Sequence, residues 1–157
     1  MPNQNSDIRE NLVKYASFVL NRRPYFRHTL KQKLQLRCQK LKFADSTSVI
    51  DSIIDDLAKS GYLNDGYLAE AFVRRQLSKG YGPSFIKLKL NMLKLPTDTI
   101  NNALEKEADF KAQMESARQF ISKKGISEPK KAVYTLFKRG FGSNITRKLF
   151  DWEPEGE

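Results

Sequence analysis

The sequence predicts an all-α protein, an elongated, curved tandem array of three three-helix repeats built from helix-turn-helix-like units. Three observations carry that expectation. Apolar residues recur at intervals of three and four along nearly the whole chain, and no segment alternates in the manner of a strand. Helix-stopping glycines followed by cap-forming residues interrupt this periodicity again and again. The chain also resembles itself: Ala71 and Ala117, like Leu90 and Leu136, stand 46 positions apart, while Ile100 and Ile145, like Leu104 and Leu149, stand 45 apart. One deletion reconciles the two spacings.

The elements follow in order. Ser6 and Asp7 offer a helix start, after which Ile8, Leu12, Tyr15, Ala16, Val19 and Leu20 keep helical spacing to an end near Arg22. Pro24 forces a break, because a proline pushes the residue before it out of the α region. Phe26, Leu30, Leu34, Cys38 and Leu41 then form one stripe of a second helix whose other faces are basic. The third helix, in DSTSVIDSIIDDLAKSG, has Asp45 or Ser46 as N-cap, an apolar set of Val49, Ile50, Ile53, Ile54 and Leu57, and Gly61 as its stop. Asn64 or Asp65 starts the next, which runs through Leu77 to a break at KGYGP. A fifth helix covers Phe85 to Leu95, and a short sixth after Pro96 and Thr97 carries Ile100, Ala103 and Leu104. Phe110, Met114, Ala117, Phe120 and Ile121 define a seventh, stopped by Gly125. Ala132, Val133, Leu136 and Phe137 define an eighth, stopped by Gly140, and Ser143 caps a ninth with Ile145 and Leu149. The first unit is longer by about one helix turn, in its second helix or the loop after it.

These boundaries divide the chain into repeats at residues 1–64, 65–108 and 109–152, with an acidic tail at 153–157. A unit of roughly 45 residues buries too little surface to be comfortably stable alone, so neighbours must pack. At 157 residues the chain has no room for two large independent domains. Ten Phe, six Tyr and one Trp supply bulky core material, which argues against disorder despite a hydrophobic fraction of 39%. The N-terminus lacks the pattern of a secretory signal and no apolar run approaches the ~20 residues of a membrane helix. A cytoplasmic monomer with no membrane partner is the expectation.

Charge narrows the class of partner. The net charge of +10 and a pI near 9.7 favour polyanions, either nucleic acid or an acidic protein surface. The distribution is uneven: the three repeats carry +5, +2 and +6, and the last five residues −3. Residues 22 to 42 hold Arg22, Arg23, Arg27, Lys31, Lys33, Arg37, Lys40 and Lys42 without one acid, whereas residues 45 to 56 hold four aspartates without one base. In the last repeat the doublets Lys123-Lys124, Lys130-Lys131, Lys138-Arg139 and Arg147-Lys148 sit mostly at helix ends, where cations also complement the helix dipole. Arg74 and Arg75 diverge by ~100° on their helix, so that one can flank the core while the other faces a partner. The candidate polyanion-binding set is therefore Arg22, Arg23, Arg27, Lys31, Arg74, Arg75, Lys79, Lys123, Lys124, Lys130, Lys131, Lys138, Arg139, Arg147 and Lys148. If about six to eight of them met phosphates, affinity would fall by orders of magnitude over a few-fold rise in salt.

Catalytic chemistry finds few candidates. One cysteine and one histidine, Cys38 and His28, allow neither a disulfide nor a Cys-rich or His-pair metal site, and ten residues of helix would hold them ~15 Å apart. Asp55 and Asp56 are adjacent and diverge, which argues against a shared acid-base pair. Ser84 to Lys87 match Ser-x-x-Lys without the companion motifs of the enzymes that use it, and GYGPSF lacks the third glycine and the strand of a dinucleotide loop. We expect no catalytic residue, no cofactor and no metal. Tyr62, Tyr67, Tyr81 and Phe141 lie near turns where aromatics stack on bases, but an aromatic after a helix-ending glycine is expected to pack back onto the helix.

Motif order then points to a family. GYLNDGYLAEAFVRR, with Gly61, Tyr62, Leu63, Asp65 and Ala69, resembles the signature junction of the RecX family, in which a Gly-aromatic-aliphatic turn leads into Asp and, four residues later, Ala. KRGFGSNITRKL, with Gly140, Phe141 and Ile145, resembles its last-repeat junction, and YGPSFIKLKL the corresponding middle segment. The resemblance covers about residues 10 to 152. The chain departs from the pattern at CQKLKF and LKLP, where glycine is more usual, and at Phe26 and Thr29, where Ser and Glu are.

The resemblance implies a non-enzymatic regulator that lodges along the groove of the RecA recombinase filament on single-stranded DNA. Such a protein inhibits ATP turnover, strand exchange and filament growth, in DNA repair, homologous recombination and the SOS response. Single-stranded DNA is the expected nucleic-acid partner, with double-stranded DNA as a secondary candidate. A modular basic body suits this, since touching protein and DNA together multiplies weak contacts. Two alternatives stay open from the residues alone: a stand-alone basic helical DNA-binding protein, and a helical scaffold for an acidic peptide.

Overall fold

Residues 4–150 are described by a computed structural model, and nine α-helices make up the regular structure among them. They are α1 (Gln4–Leu20), α2 (Arg27–Lys40), α3 (Thr47–Lys59), α4 (Asp65–Ser78), α5 (Pro83–Met92), α6 (Thr97–Glu107), α7 (Phe110–Lys124), α8 (Pro129–Lys138) and α9 (Ser143–Phe150). The all-α expectation holds, helix for helix. The extra turn of the first triplet lies in α2, which has 14 residues where α5 and α8 have 10 each. The acidic tail at 153–157 lies outside the described residues.

The chain separates into two compact units, Met1–Leu68 and Ala69–Glu157, with the boundary inside α4. In the first, α1, α2 and α3 pack mutually around Leu12, Ala16, Leu30, Leu34, Cys38, Ile50 and Ile53, all on the predicted apolar stripes. Cys38 is buried as a small apolar residue. Leu63, from the turn after α3, closes this core.

The second unit holds most of α4 and all of α5 to α9. Ala69, Val73 and Leu77 of α4, Ile86 and Leu90 of α5, and Ile100 and Ala103 of α6 are buried. α9 packs on α7 and α8 around Met114, Ala117, Phe120, Leu136, Phe141 and Ile145.

Helix ends explain the junctions. At Gly61, with φ of 80°, the Gly61 N–H donates to the Ala58 carbonyl and the Tyr62 N–H to that of Leu57, closing the end of α3 as a Schellman turn. The same closure recurs at Gly80 and Gly140. Where the sequence lacks the family's usual glycine, lysine takes the left-handed position: Lys42 has φ of 55° and Lys94 of 58°. Lys42 completes the same hydrogen-bond pair, to Gln39 and, through Phe43, to Cys38. Lys94 also ends α5 at Met92, short of the predicted Leu95.

The open cap assignments resolve into divided roles. Asn64 accepts the Tyr67 N–H at 3.0 Å and caps α4, while Asp65 reaches across to the start of α2 and accepts the Arg27 N–H at 2.9 Å. Asp45 accepts the N–H and hydroxyl of Thr47, whereas the Ser46 hydroxyl turns back to the Ala44 carbonyl. Three expectations need correction. α1 is already helical at Gln4, ahead of Ser6, and passes at Leu20 into turn hydrogen bonds from Arg22 and Arg23 to the Val19 carbonyl before Pro24. Ser143 is the first residue of α9, whose opening carbonyl belongs to Gly142. Tyr62 does not fold back on its helix but is 68% exposed.

Candidate polyanion-binding cleft

Two junctions of the second unit interlock, and a cationic cleft forms beside them. The Gly82 N–H donates to the Arg139 carbonyl at 2.8 Å and the Ser84 N–H to the Gly140 carbonyl at 3.1 Å, so backbone meets backbone. Glycine is required at this crossing: a Cβ on Gly82 would collide with the Gly140 carbonyl, and one on Gly140 would stand 2.6 Å from the Phe85 nitrogen.

Arg139 fastens the crossing. Its Nε donates to the Gly80 carbonyl at 2.9 Å and its terminal nitrogen to the Lys79 carbonyl at 2.6 Å, satisfying acceptors just past the end of α4. The same guanidinium lies 3.8 Å from the Tyr81 ring centre and 4.3 Å from that of Phe120. Tyr81 in turn stacks on Phe85 at 4.1 Å. The Ser116 hydroxyl takes a further α4 carbonyl, that of Leu77, at 2.5 Å. Arg139 is therefore a fastener of the fold, with its Nε and one terminal nitrogen engaged internally.

Around this fastener opens a cleft of about 450 Å3, lined by Ser78, Lys79 and Gly80 from the end of α4, Gln119, Phe120, Lys123 and Lys124 from α7, and Arg139. Lys79, Lys123 and Lys124 are exposed, none makes an ion pair among the described residues, and no carboxylate lines the cleft. Three ammonium groups from two helices thus share one concave surface, the arrangement that concentrates a negatively charged ligand.

The other members of the set divide by surroundings. Arg27 pairs with Asp55 at 2.9 Å and Lys31 with Asp51 at 2.7 Å, because α2 packs on α3 and brings the basic and acidic stretches together. Arg74 pairs with Glu107 at 2.6 Å. These three are the members whose charge is locally compensated. Arg22 lies over Phe18, Arg23 over Tyr25 and Arg75 over Phe72, each within stacking range of its ring. Arg23 and Lys33 together hold the Tyr25 phenol below its usual range, the hydrogen bond from Arg23 being the larger cause. Lys130 and Arg147 line a separate, apolar groove between α8 and α9, and Lys138 stands over Tyr134 at 4.7 Å. Lys131 and Lys148 are exposed on the same two helices.

Sequence reasoning missed two things here. Ser78 and Gln119 join the cleft only because the end of α4 meets α7, and nothing local marks them. Phe137, placed in the predicted core of α8, is 72% exposed, and Tyr134 is 60% exposed. The signal was present: Val133, Tyr134 and Phe137 form a second stripe beside the buried Ala132 and Leu136, more apolar surface than one core face needs.

Among the described residues no cluster of three or more metal-ligating side chains occurs, and no helix is long and apolar enough to cross a membrane. No protein-family model matches the chain. Curated relatives do. The chain is 31% identical over 139 residues to the regulatory protein RecX of Pseudomonas putida (strain GB-1), covering 85% of each chain, and 28% identical over 150 residues to that of Xanthomonas oryzae pv. oryzae (strain MAFF 311018), covering 90% of this chain and 88% of the other. Among solved structures, the crystal structure of RecX from Lactobacillus salivarius shares the fold with a TM-score of 0.76 at 22% identity, over 93% of this chain and 96% of that one. By its sequence likeness to these curated relatives over most of its length, the chain belongs to the RecX family.

Proposed function

We propose that the protein binds RecA filaments on single-stranded DNA and inhibits their ATP turnover, growth and strand exchange, with the Lys79–Lys123–Lys124 cleft supplying phosphate contacts. The observation that carries this reading is the convergence of three uncompensated lysines on one open surface in a chain of the RecX family. The protein acts without catalytic chemistry of its own, as a cytoplasmic monomer whose effect comes from occupancy. A cleft without acidic lining attracts a phosphate backbone whatever its sequence, which suits a partner that coats DNA without reading it. The three proposed repeats, at 1–64, 65–108 and 109–152, extend the contact beyond this cleft, with Lys131 and Lys148 as further cations.

The test combines two assays on the triple variant Lys79→Glu, Lys123→Glu, Lys124→Glu. DNA-stimulated ATP hydrolysis by RecA should be suppressed by the parent and much less by the variant, at equal helicity. In direct binding to oligo(dT), three lost phosphate contacts should reduce the slope of log affinity against log salt by about 2. A parent that leaves RecA turnover unaltered at saturation overturns the function, and an unchanged salt slope overturns the site.

A further inference from the structure

The groove between α8 and α9 has a chemistry unlike that of the cationic cleft. It encloses about 410 Å3, within the roughly 300–1,000 Å3 range of clefts that take ligands. Val133, Tyr134, Phe137 and Phe141 provide an almost wholly apolar interior, and Lys130 and Arg147 stand at its rim. Phe141 is buried and firm beneath it, whereas Phe137 leaves most of its ring to solvent. An exposed aromatic beside a rigid apolar floor, ringed by charge, has the make-up of an interface centre.

Two features say what covers it. α8 and α9 carry Lys130, Lys131, Lys138, Arg147 and Lys148 and not one Asp or Glu, so the occupant is negatively charged around its margin. The interior offers few polar partners; the Thr146 hydroxyl already donates to the Ser143 carbonyl at 3.1 Å. A nucleobase seated here would lose water from its donor and acceptor edges with little in return, whereas an aliphatic or aromatic side chain loses nothing.

We infer that this groove docks a short segment of a partner protein, with one or two large apolar anchors flanked by Asp and Glu. It is an interaction surface separate from the phosphate contacts of the cleft. The anchors seat on Val133, Phe137 and Phe141, and the carboxylates meet Lys130 and Arg147.

Fluorescence anisotropy on the full chain tests this with three probes: a labelled twelve-residue Glu/Asp peptide carrying Leu and Phe anchors, the same peptide with both anchors replaced by Ser, and labelled oligo(dT). The anchored peptide should bind at least ten-fold more tightly than the anchorless one. Phe137→Ser, at an exposed position that leaves the core intact, should weaken it by a similar factor without altering oligo(dT) binding. Lys130→Glu with Arg147→Glu should also weaken it, while Lys79→Glu with Lys123→Glu should leave it unchanged. Equal binding of the two peptides, or indifference of the anchored peptide to Phe137→Ser, overturns the inference. So does a loss of oligo(dT) binding in Phe137→Ser, which would make the groove a base-stacking site, or self-association abolished by that change, which would assign it to a second copy.

Discussion

Gly82→Ala should be strongly damaging although its backbone is ordinary. Gly82 has φ of −90°, open to any residue, so the substitution carries no conformational penalty. The damage is steric and falls on backbone, since the new Cβ would overlap the Gly140 carbonyl and the Phe141 nitrogen, neither of which can swing aside. Relief requires the two junctions to part, breaking the Gly82–Arg139 hydrogen bond, whose donor is buried, and the Ser84–Gly140 bond beside it. Each buried polar group left unpaired costs about 1–3 kcal/mol, and Arg139 loses geometry on two carbonyls as well, so roughly 3–5 kcal/mol is expected in all. Gly125→Ala is the reference: φ there is 63°, but nothing lies within 4 Å, so the cost is the left-handed strain alone, about 1–2 kcal/mol. Urea unfolding followed by far-UV circular dichroism gives the order, and amide hydrogen exchange locates the loss in the second unit. A Gly125→Ala variant destabilised as much as Gly82→Ala, or a Gly82→Ala variant within about 1 kcal/mol of the parent, would refute the interlock.

Three further outcomes follow from the same geometry. Lys42→Gly and Lys94→Gly should each stabilise by about 0.5–1 kcal/mol in thermal or urea unfolding, because both lysines are held at positive φ; destabilisation by either would mean its side chain matters more than its backbone. Burial raises the Asp65 carboxyl above its ordinary pKa, against the lowering effect of the Arg27 N–H and charge, so its contribution is greatest at acid pH and declines as pH rises through the raised value. Asp65→Asn keeps an acceptor for Arg27 and removes that decline, so variant minus parent stability should grow from pH ~4 upward, while Asp65→Ala should lose about 1 kcal/mol of helix capping throughout. Arg139→Lys, which keeps the charge but not the planar fork, should cost about 2 kcal/mol in urea and leave the salt slope of oligo(dT) binding unaltered.

The fold was readable because its signals are local. A helix needs one apolar stripe and two ends, and both are written within some fifteen residues: Ile50, Ile53 and Ile54 give α3 its buried face, and Gly61 its stop. Where glycine was absent the ends were harder to place, since a lysine at positive φ has no distinguishing mark in sequence, and α5 accordingly ends before Leu95. The site was readable only in part, because charge compensation is a tertiary property. The basic run at 22–42 and the acidic run at 45–56 stand out as separate features along the chain, yet α2 and α3 turn them toward each other through Arg27–Asp55 and Lys31–Asp51. Lys79 and Lys123, both in the candidate set, lie 44 positions apart, and only the fold puts them on one cleft.

The two readings of a lysine at a helix end, dipole complement and ligand contact, are compatible in this cleft, and the arithmetic shows why. The C-terminal end of a helix carries about half a negative charge, so α4 and α7 together present about one unit to the region where they finish. Arg139 spends its guanidinium on the carbonyls of Lys79 and Gly80 and so answers the α4 end by itself. Lys79, Lys123 and Lys124 then face only the remainder, about half a unit against three positive charges. A surplus of more than two charges is left over an open surface, more than stabilisation of the helix ends requires. Because each lysine still gains about 0.3–1 kcal/mol from the helix end it follows, charge reversal there lowers stability as well as binding, and Lys→Gln variants separate the two effects. A fastener that satisfies the helix end from inside is what leaves the lysines outside it available to a partner.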